Sequence, residues 1–225
     1  GSAPVTSNGG HLSLANGITL SNLTVNGDVS LLSDIRTSGA QIYNGDVLIG
    51  GSTGMGATPI ILTASGMQFM GTLMSGSIGT YLNGAMGNYQ SLVINAGNGQ
   101  VEFADRVGSD VLGRTYGTVW ANPLYMQNLY TLVVNAGTTL VKGDIITFET
   151  QTYNTKVLIG NNGSNGLRRT FLSEDPTITF NGTVDDTQVN THTLVVKAVS
   201  ISGNPNELPV ININDAVGAT KALAG

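Results

Sequence analysis

Residues 34–50 read DIRTSGAQIYNGDVLIG and residues 144–160 read DIITFETQTYNTKVLIG. Aligned without a gap, the two stretches share ten of 17 residues and close on the same Val-Leu-Ile-Gly. The echo runs on downstream, where MQFMGTL from Met67 answers ITFNGTV from Ile178 after a shift of one residue. The chain of 225 residues is thus expected to hold two imperfect copies of a unit of about 110 residues, approximately 24–133 and 134–217.

A shorter rhythm lies inside the long one. Strand-like phrases closing on Asn recur as LTVNG from Leu23, LVINAG from Leu92 and LVVNAG from Leu132, with LVVKA from Leu194 as a weaker member. Taking Val25, Val47, Phe69 and Val93 as markers gives intervals of 22, 22 and 24; Val133, Val157 and Phe180 follow at 24 and 23. Short β segments with Gly and Asn corners at such a spacing suit the coil of a parallel β-solenoid, in which stacked coils bury a common interior that no single coil can close. Val, Ile and Leu alternate with Thr, Ser and Asn, which turns apolar side chains inward and hydroxyls outward. Asn side chains at the corners could bond to one another along the stack. The expected fold is all-β: a right-handed parallel β-helix of about 22-residue coils, nine or ten in number, making residues 1–225 a single solenoid fragment. The competing reading takes the long repeat as the domain and gives tandem β-sandwich modules. NDAVGATKALAG from Asn214 reads as weakly helical or as a frayed tail.

Composition narrows function. Charged residues make up 10% of the chain, Gly numbers 31, and there is no Cys, so neither disulfides nor thiolate metal sites exist. The net charge of -5, with nine scattered Lys and Arg, offers no basic patch and argues against nucleic-acid binding. No apolar run approaches the roughly 18 to 20 residues that cross a bilayer, so a membrane-inserted helix is not expected. Gly1-Ser2 reads as a cloning remnant, and the chain as a piece of a longer protein.

IRTSGAQIYNGDVLIG from Ile35, SLVINAGNGQVEFADRVG from Ser91 and ITFETQTYNTKVLIG from Ile146 resemble the repeats of very large filamentous-haemagglutinin-like exoproteins and related bacterial surface adhesins. The resemblance covers most of Ile18 to Val196. The second copy departs from it at Tyr153-Asn154-Thr155, where the corner glycine is missing. It implies a secreted β-helix on the exterior of a Gram-negative outer membrane, acting as stalk or contact surface. Implied partners are a glycan or surface protein of a host or neighbouring cell, and further copies of the chain itself. On this reading Gln41, Tyr43, Gln151 and Tyr153 are rim residues of coil stacking, and Val47, Ile49, Val157 and Ile159 are core.

Chemistry is sparse. His11 and His192 stand in no metal-type spacing, and no motif demands a cofactor. Glu174-Asp175 and Asp185-Asp186 bear on a second alternative, a polysaccharide-degrading β-helix with paired carboxylates, but each reads as a solvated turn. The tandem β-sandwich reading would make the chain a fibre subunit that self-associates by strand exchange. The ligand-binding candidates are Tyr116, Trp120 and Tyr125, an aromatic platform for a sugar face, with Asn122 to bond its hydroxyls. The expected function is non-enzymatic.

Overall fold

The computed structural model describes residues 4–8, 10–12, 19–50, 58–75, 90–108, 128–163, 166–174, 177–199 and 208–224. Its strands pair in parallel throughout and wind into a parallel β-helix with three faces. The first face stacks Val5–Ser7, Leu23–Val25, Ala40–Tyr43, Gly66–Phe69 and Gln100–Phe103. It continues through the second halves of Leu132–Val141 and Gln151–Ile159 to Val184–Asp186 and a bridge at Val217. The second face carries Val29–Leu31, Val47–Ile49, Leu73–Ser75, Val107, Ile145–Thr147, Arg168–Ser173 and Thr193–Ala198. The third runs from Thr19–Leu20 through Ile35–Thr37, Ile60–Thr63 and Leu92–Asn95. It then takes the first halves of the two long strands, Thr177–Phe180 and Val210–Ile213. No antiparallel sandwich module is formed by the described residues.

The 22-residue spacing is not the coil. Partners on the first face stand 18 residues apart from Val5 to Leu23 and again from Leu23 to Gln41. The local rule is six residues per face: Leu23, Val29, Ile35, Gln41 and Val47 each open an in-out-in strand, and three corner residues follow. The earlier markers mix faces, since Val25 and Phe69 lie on the first, Val47 on the second and Val93 on the third. Longer coils arise from added residues between strands, as between Gly50 and Thr58, so that Gln41 stacks on Met67 at a separation of 26. Nine levels result on the first face.

The long repeat is also out of phase with the coils. Gln41 and Tyr43 belong to the first face, whereas Gln151 and Tyr153 stack on Leu132 and Val134 of the third. Eleven face steps, several of them longer than six residues, separate the copies, and eleven is not a multiple of three. The duplicated words are therefore environments of a single strand and its neighbours, rotated by one face.

Burial follows the alternation. Leu23, Val25, Leu31, Ile35, Val47, Ile49, Val157 and Ile159 are fully inside. On the first face Tyr43, Phe69 and Phe103 form an internal aromatic column with centroids 5.2 and 5.6 Å apart and nearly parallel planes. On the third, Tyr153 stacks on Phe180 at 5.1 Å. Corners need tight backbone packing: a Cβ on Gly45 would lie 2.5 Å from the carbonyl carbon of Gly27 one coil below. The segment from Asn214 is not helical. Val217 bridges Val184, and the backbone of Lys221, Ala222 and Ala224 bonds to Asp186, Asn190 and His192, so the segment adds a partial coil.

Candidate functional site

Gln41 and Tyr43 lie in the interior, not at a rim, and both are fully buried. Gln41 Nε2 donates to the carbonyl of Ile35 at 3.2 Å and to that of Thr63, in the next coil, at 3.0 Å. The Tyr43 hydroxyl donates to Gln41 Oε1 at 2.9 Å. The second copy repeats this arrangement on its own face: Gln151 Nε2 donates to Ile145 and Leu172, and Tyr153 donates to Gln151 Oε1 at 2.9 Å. An amide inside an apolar core is tolerated only when its groups are paired, and here it donates to strand carbonyls of its own coil and of the next, Ile35 and Thr63 for Gln41 and Ile145 and Leu172 for Gln151. Burial pushes both phenols well above their ordinary pKa, so they remain neutral donors.

The outer corners are organised by Asn and Asp. Along the edge between the third and first faces the amides of Asn95, Asn135, Asn154, Asn181 and Asn214 form a ladder, each Nδ2 donating to the Oδ1 one coil below at 2.6 to 2.8 Å. Corner carboxylates accept N–H groups of the following coil: Asp28 from Asp46, Asp46 from Thr72, Asp34 from Ile61 and Asp144 from Thr170. Four of the chain's 14 acids thus serve to tie one corner to the next coil.

Among the described residues, buried charged and titratable groups gather near the carboxy-terminal end, at Arg169, Asp185, Asp186 and His192. Asp185 and Asp186 are not solvated; both are fully buried. Asp185 faces outward beneath the last partial coil, accepts the N–H of Thr220 at 2.9 Å and pairs with Lys156 at 3.2 Å. Burial would raise its pKa, but the N–H groups of Thr220 and Lys221 and the Lys156 ammonium lower it on balance. Asp186 points inward at the end of the Tyr43-Phe69-Phe103-Val141-Ile159 column. Its carboxylate accepts the N–H groups of Gln188, Thr191 and His192, and meets His192 Nδ1 at 2.5 Å. Burial again opposes ionisation, yet these bonds prevail and hold the pKa at about 2. The ionised carboxylate requires the proton of the imidazole to sit on Nδ1.

Nearby, the fully buried Arg169 donates to the carbonyls of Gly160, Arg168 and Gly166, pinning the corner that follows Ile159. Burial lowers its pKa and Asp144 partly restores it. Between this corner and residues 187–192 an open cleft of about 310 Å³ is lined by Leu140, Lys142, Asn161, Leu167, Thr191 and His192, among others. Lys142 binds Glu102 at 2.6 Å on its far side. No nucleophile is placed against His192 by any hydrogen bond among the described residues. The sequence flagged Asp186 and His192 only separately; they meet because residues 187–192 form a tight corner whose backbone N–H groups fold back on the Asp186 carboxylate.

Tyr116, Trp120, Asn122 and Tyr125 lie outside the described residues, between Gly108 and Asn128. The two ends of that insertion are adjacent, since a Cβ on Gly108 (φ +87°) would lie 2.7 Å from Asn128 Oδ1. Val107 and Leu129 each pair with Ile145–Thr147, so the insertion interrupts one second-face strand. Among the described residues no group of three or more His, Cys, Asp and Glu could hold a metal ion, and no helix is long and apolar enough to cross a membrane. No protein-family model matches the chain, and neither a curated protein nor a solved structure is significantly similar to it.

Proposed function

We propose that this chain is a non-enzymatic stalk and contact segment of a secreted or cell-surface fibrous protein of the filamentous-haemagglutinin-like kind, on the exterior of a Gram-negative outer membrane. The observation that supports this reading is the division of labour between rod and insertion. Leu129 and Thr147 stand 18 residues apart, whereas Val107 and Ile145, one strand end earlier, stand 38 apart, yet both pairs keep register. The strand register is held on both sides of residues 109–127, which carry Tyr116, Trp120, Asn122 and Tyr125, as suits a scaffold that presents a contact segment to a glycan or surface protein. Binding of the fragment to host or bacterial cells, compared with a variant lacking residues 109–127, tests this. The reading requires cell binding that falls with the loop removed; binding that is unchanged assigns contact to the rod surface instead.

Self-association is a second reading, favoured by the carboxy-terminal end. Ile211 and Ile213 continue the interior columns of Ile178 and Phe180 but remain 44% and 43% exposed, and Val217 is 45% exposed. An uncovered strand edge of this kind templates pairing with another chain. Mass measurement by light scattering over a concentration series should show association in the parent and less of it in an Ile211→Glu, Ile213→Glu double variant.

A further inference from the structure

Over six levels of the third face, the outward positions carry no charge. Ile61, Val93, Val133, Thr152 and Thr179 follow one another in register, each partly exposed between two buried neighbours. Asn212 closes this column, its Nδ2 donating to Thr179 Oγ1 at 3.3 Å. Beside it, two residues further along each strand, run Thr63 and then the Asn ladder from Asn95 to Asn214. Charge begins only at the level below, where Arg36 pairs with Thr63 and the Asp34 carboxylate accepts the N–H of Ile61. We propose that this face is a lateral docking surface for the same face of a second copy of the chain, so that rods associate side by side.

Charge and spacing both select the partner. The chain carries a net charge of -5, so two copies repel at long range. The first face turns Glu102 and Asp185 outward, with Lys142 and Lys156 against them, and the second carries Arg168 and Lys197. Among the described residues, the third face is where two copies meet without bringing charges together. Coils rise by about 4.7 to 4.9 Å, whereas same-side residues of an extended peptide lie about 6.4 to 6.8 Å apart, so a partner that meets every level is another stack of coils. The β-branched side chains are stiff and lose little freedom on contact, and each ladder amide has a second N–H beyond the one it gives its neighbour. Stacked like side chains and Asn ladders make dry contacts between sheets about 10 Å apart. The surface measures about 29 Å along the axis by about 15 Å across, on the order of 400 Å² on each partner, at the low end of specific interfaces. Association of this chain is therefore weak and grows with the number of levels matched. The contact is distinct from end-on pairing through Ile211 and Ile213 and does not require it.

Because the chain has no cysteine, single-cysteine variants report the contact. Val133→Cys is treated with a short bis-maleimide over a concentration series, beside Ile42→Cys and Leu48→Cys, which take outward, partly exposed positions on the first and second faces. All three also carry Ile211→Glu and Ile213→Glu, which remove end-on pairing from the readout. Covalent dimer from Val133→Cys should exceed that from either control several-fold. It should fall to the control level when Val93→Glu and Thr152→Glu set like charges on the face, with the melting temperature unchanged. Equal dimer yield at all three positions overturns the inference. So does dimer that survives the two added glutamates. A Val133→Cys thiol that a monofunctional maleimide cannot label overturns it as well, since another part of the same chain would then cover the face.

Discussion

Gln41 bonds to two carbonyls of different coils and to the tyrosine beside it, and its bonds to Ile35 and Tyr43 are shut off from solvent while that to Thr63 is partly buried. Gln41→Leu keeps the volume but strands the Tyr43 hydroxyl and the Ile35 and Thr63 carbonyls. At about 1 kcal/mol or more for each of the two buried orphans, the Tyr43 hydroxyl and the Ile35 carbonyl, it should destabilise the fold by about 2 kcal/mol, and Gln151→Leu by at least as much, measured by urea denaturation. Tyr43→Phe strands only Gln41 Oε1 and should cost about 1 to 2 kcal/mol. A loss below about 1 kcal/mol for either Gln variant would contradict the account. The Gln-x-Tyr words were legible as repeats; their interior position was not, because a lone Gln is ordinarily a surface residue and only the structure shows the carbonyls it serves. Asp186 gives a second test at this scale. Its folded pKa of about 2 lies below the unfolded value of about 3.9, so its contribution is complete above about pH 5 and drains away as pH falls toward 2. Discounted for solvent screening near the rod's end, the loss is on the order of 1 kcal/mol. Asp186→Asn should be less stable at neutral pH and should show a correspondingly flatter decline in urea midpoint on acidification.

At the scale of the strand, three inward-outward-inward residues and a three-residue corner suffice for one face. This six-residue step was present in the sequence at Leu23, Val29, Ile35, Gln41 and Val47. It was obscured because insertions of different length follow, and because a 22-residue interval happens to link strands of different faces. The alternation that puts Leu and Val inside was readable and is what made a parallel β-helix the leading fold. The aromatic candidates were readable as a cluster, and they lie outside the described residues, in sequence between Val107 and Leu129, which pair with the two ends of one strand. Since Gly108 and Asn128 already adjoin, replacing residues 109–127 by a two-residue Gly-Asn link removes loop-closure entropy and keeps the pairings of Val107 and Leu129. The melting temperature of that variant should equal or exceed the parent's. A fall of more than about 5 °C, which for a chain of this size corresponds to well over 1 kcal/mol, would mean that the insertion is part of the core.

For the whole molecule, stability is a sum of coil-on-coil contacts, so the account stands or falls on which residues stack. The Asn ladder offers the test. Asn95 and Asn135 are 40 residues apart in sequence, directly paired in register, and joined by a side-chain bond of 2.8 Å. The chain has no cysteine of its own, so the double variant Asn95→Cys, Asn135→Cys gives an unambiguous readout. Adjacent parallel strands bring paired Cα atoms within the 4.4 to 6.8 Å that a disulfide spans, whereas Asn95 and Asn154, two levels apart at about 4.8 Å per level, are out of reach. The account predicts that Asn95→Cys, Asn135→Cys closes under mild oxidation and raises stability by about 4 kcal/mol, the value for a loop of that length, while Asn95→Cys, Asn154→Cys stays reduced. Failure of the first pair to close, or equal closure of both, would contradict the coil register from which everything else here follows.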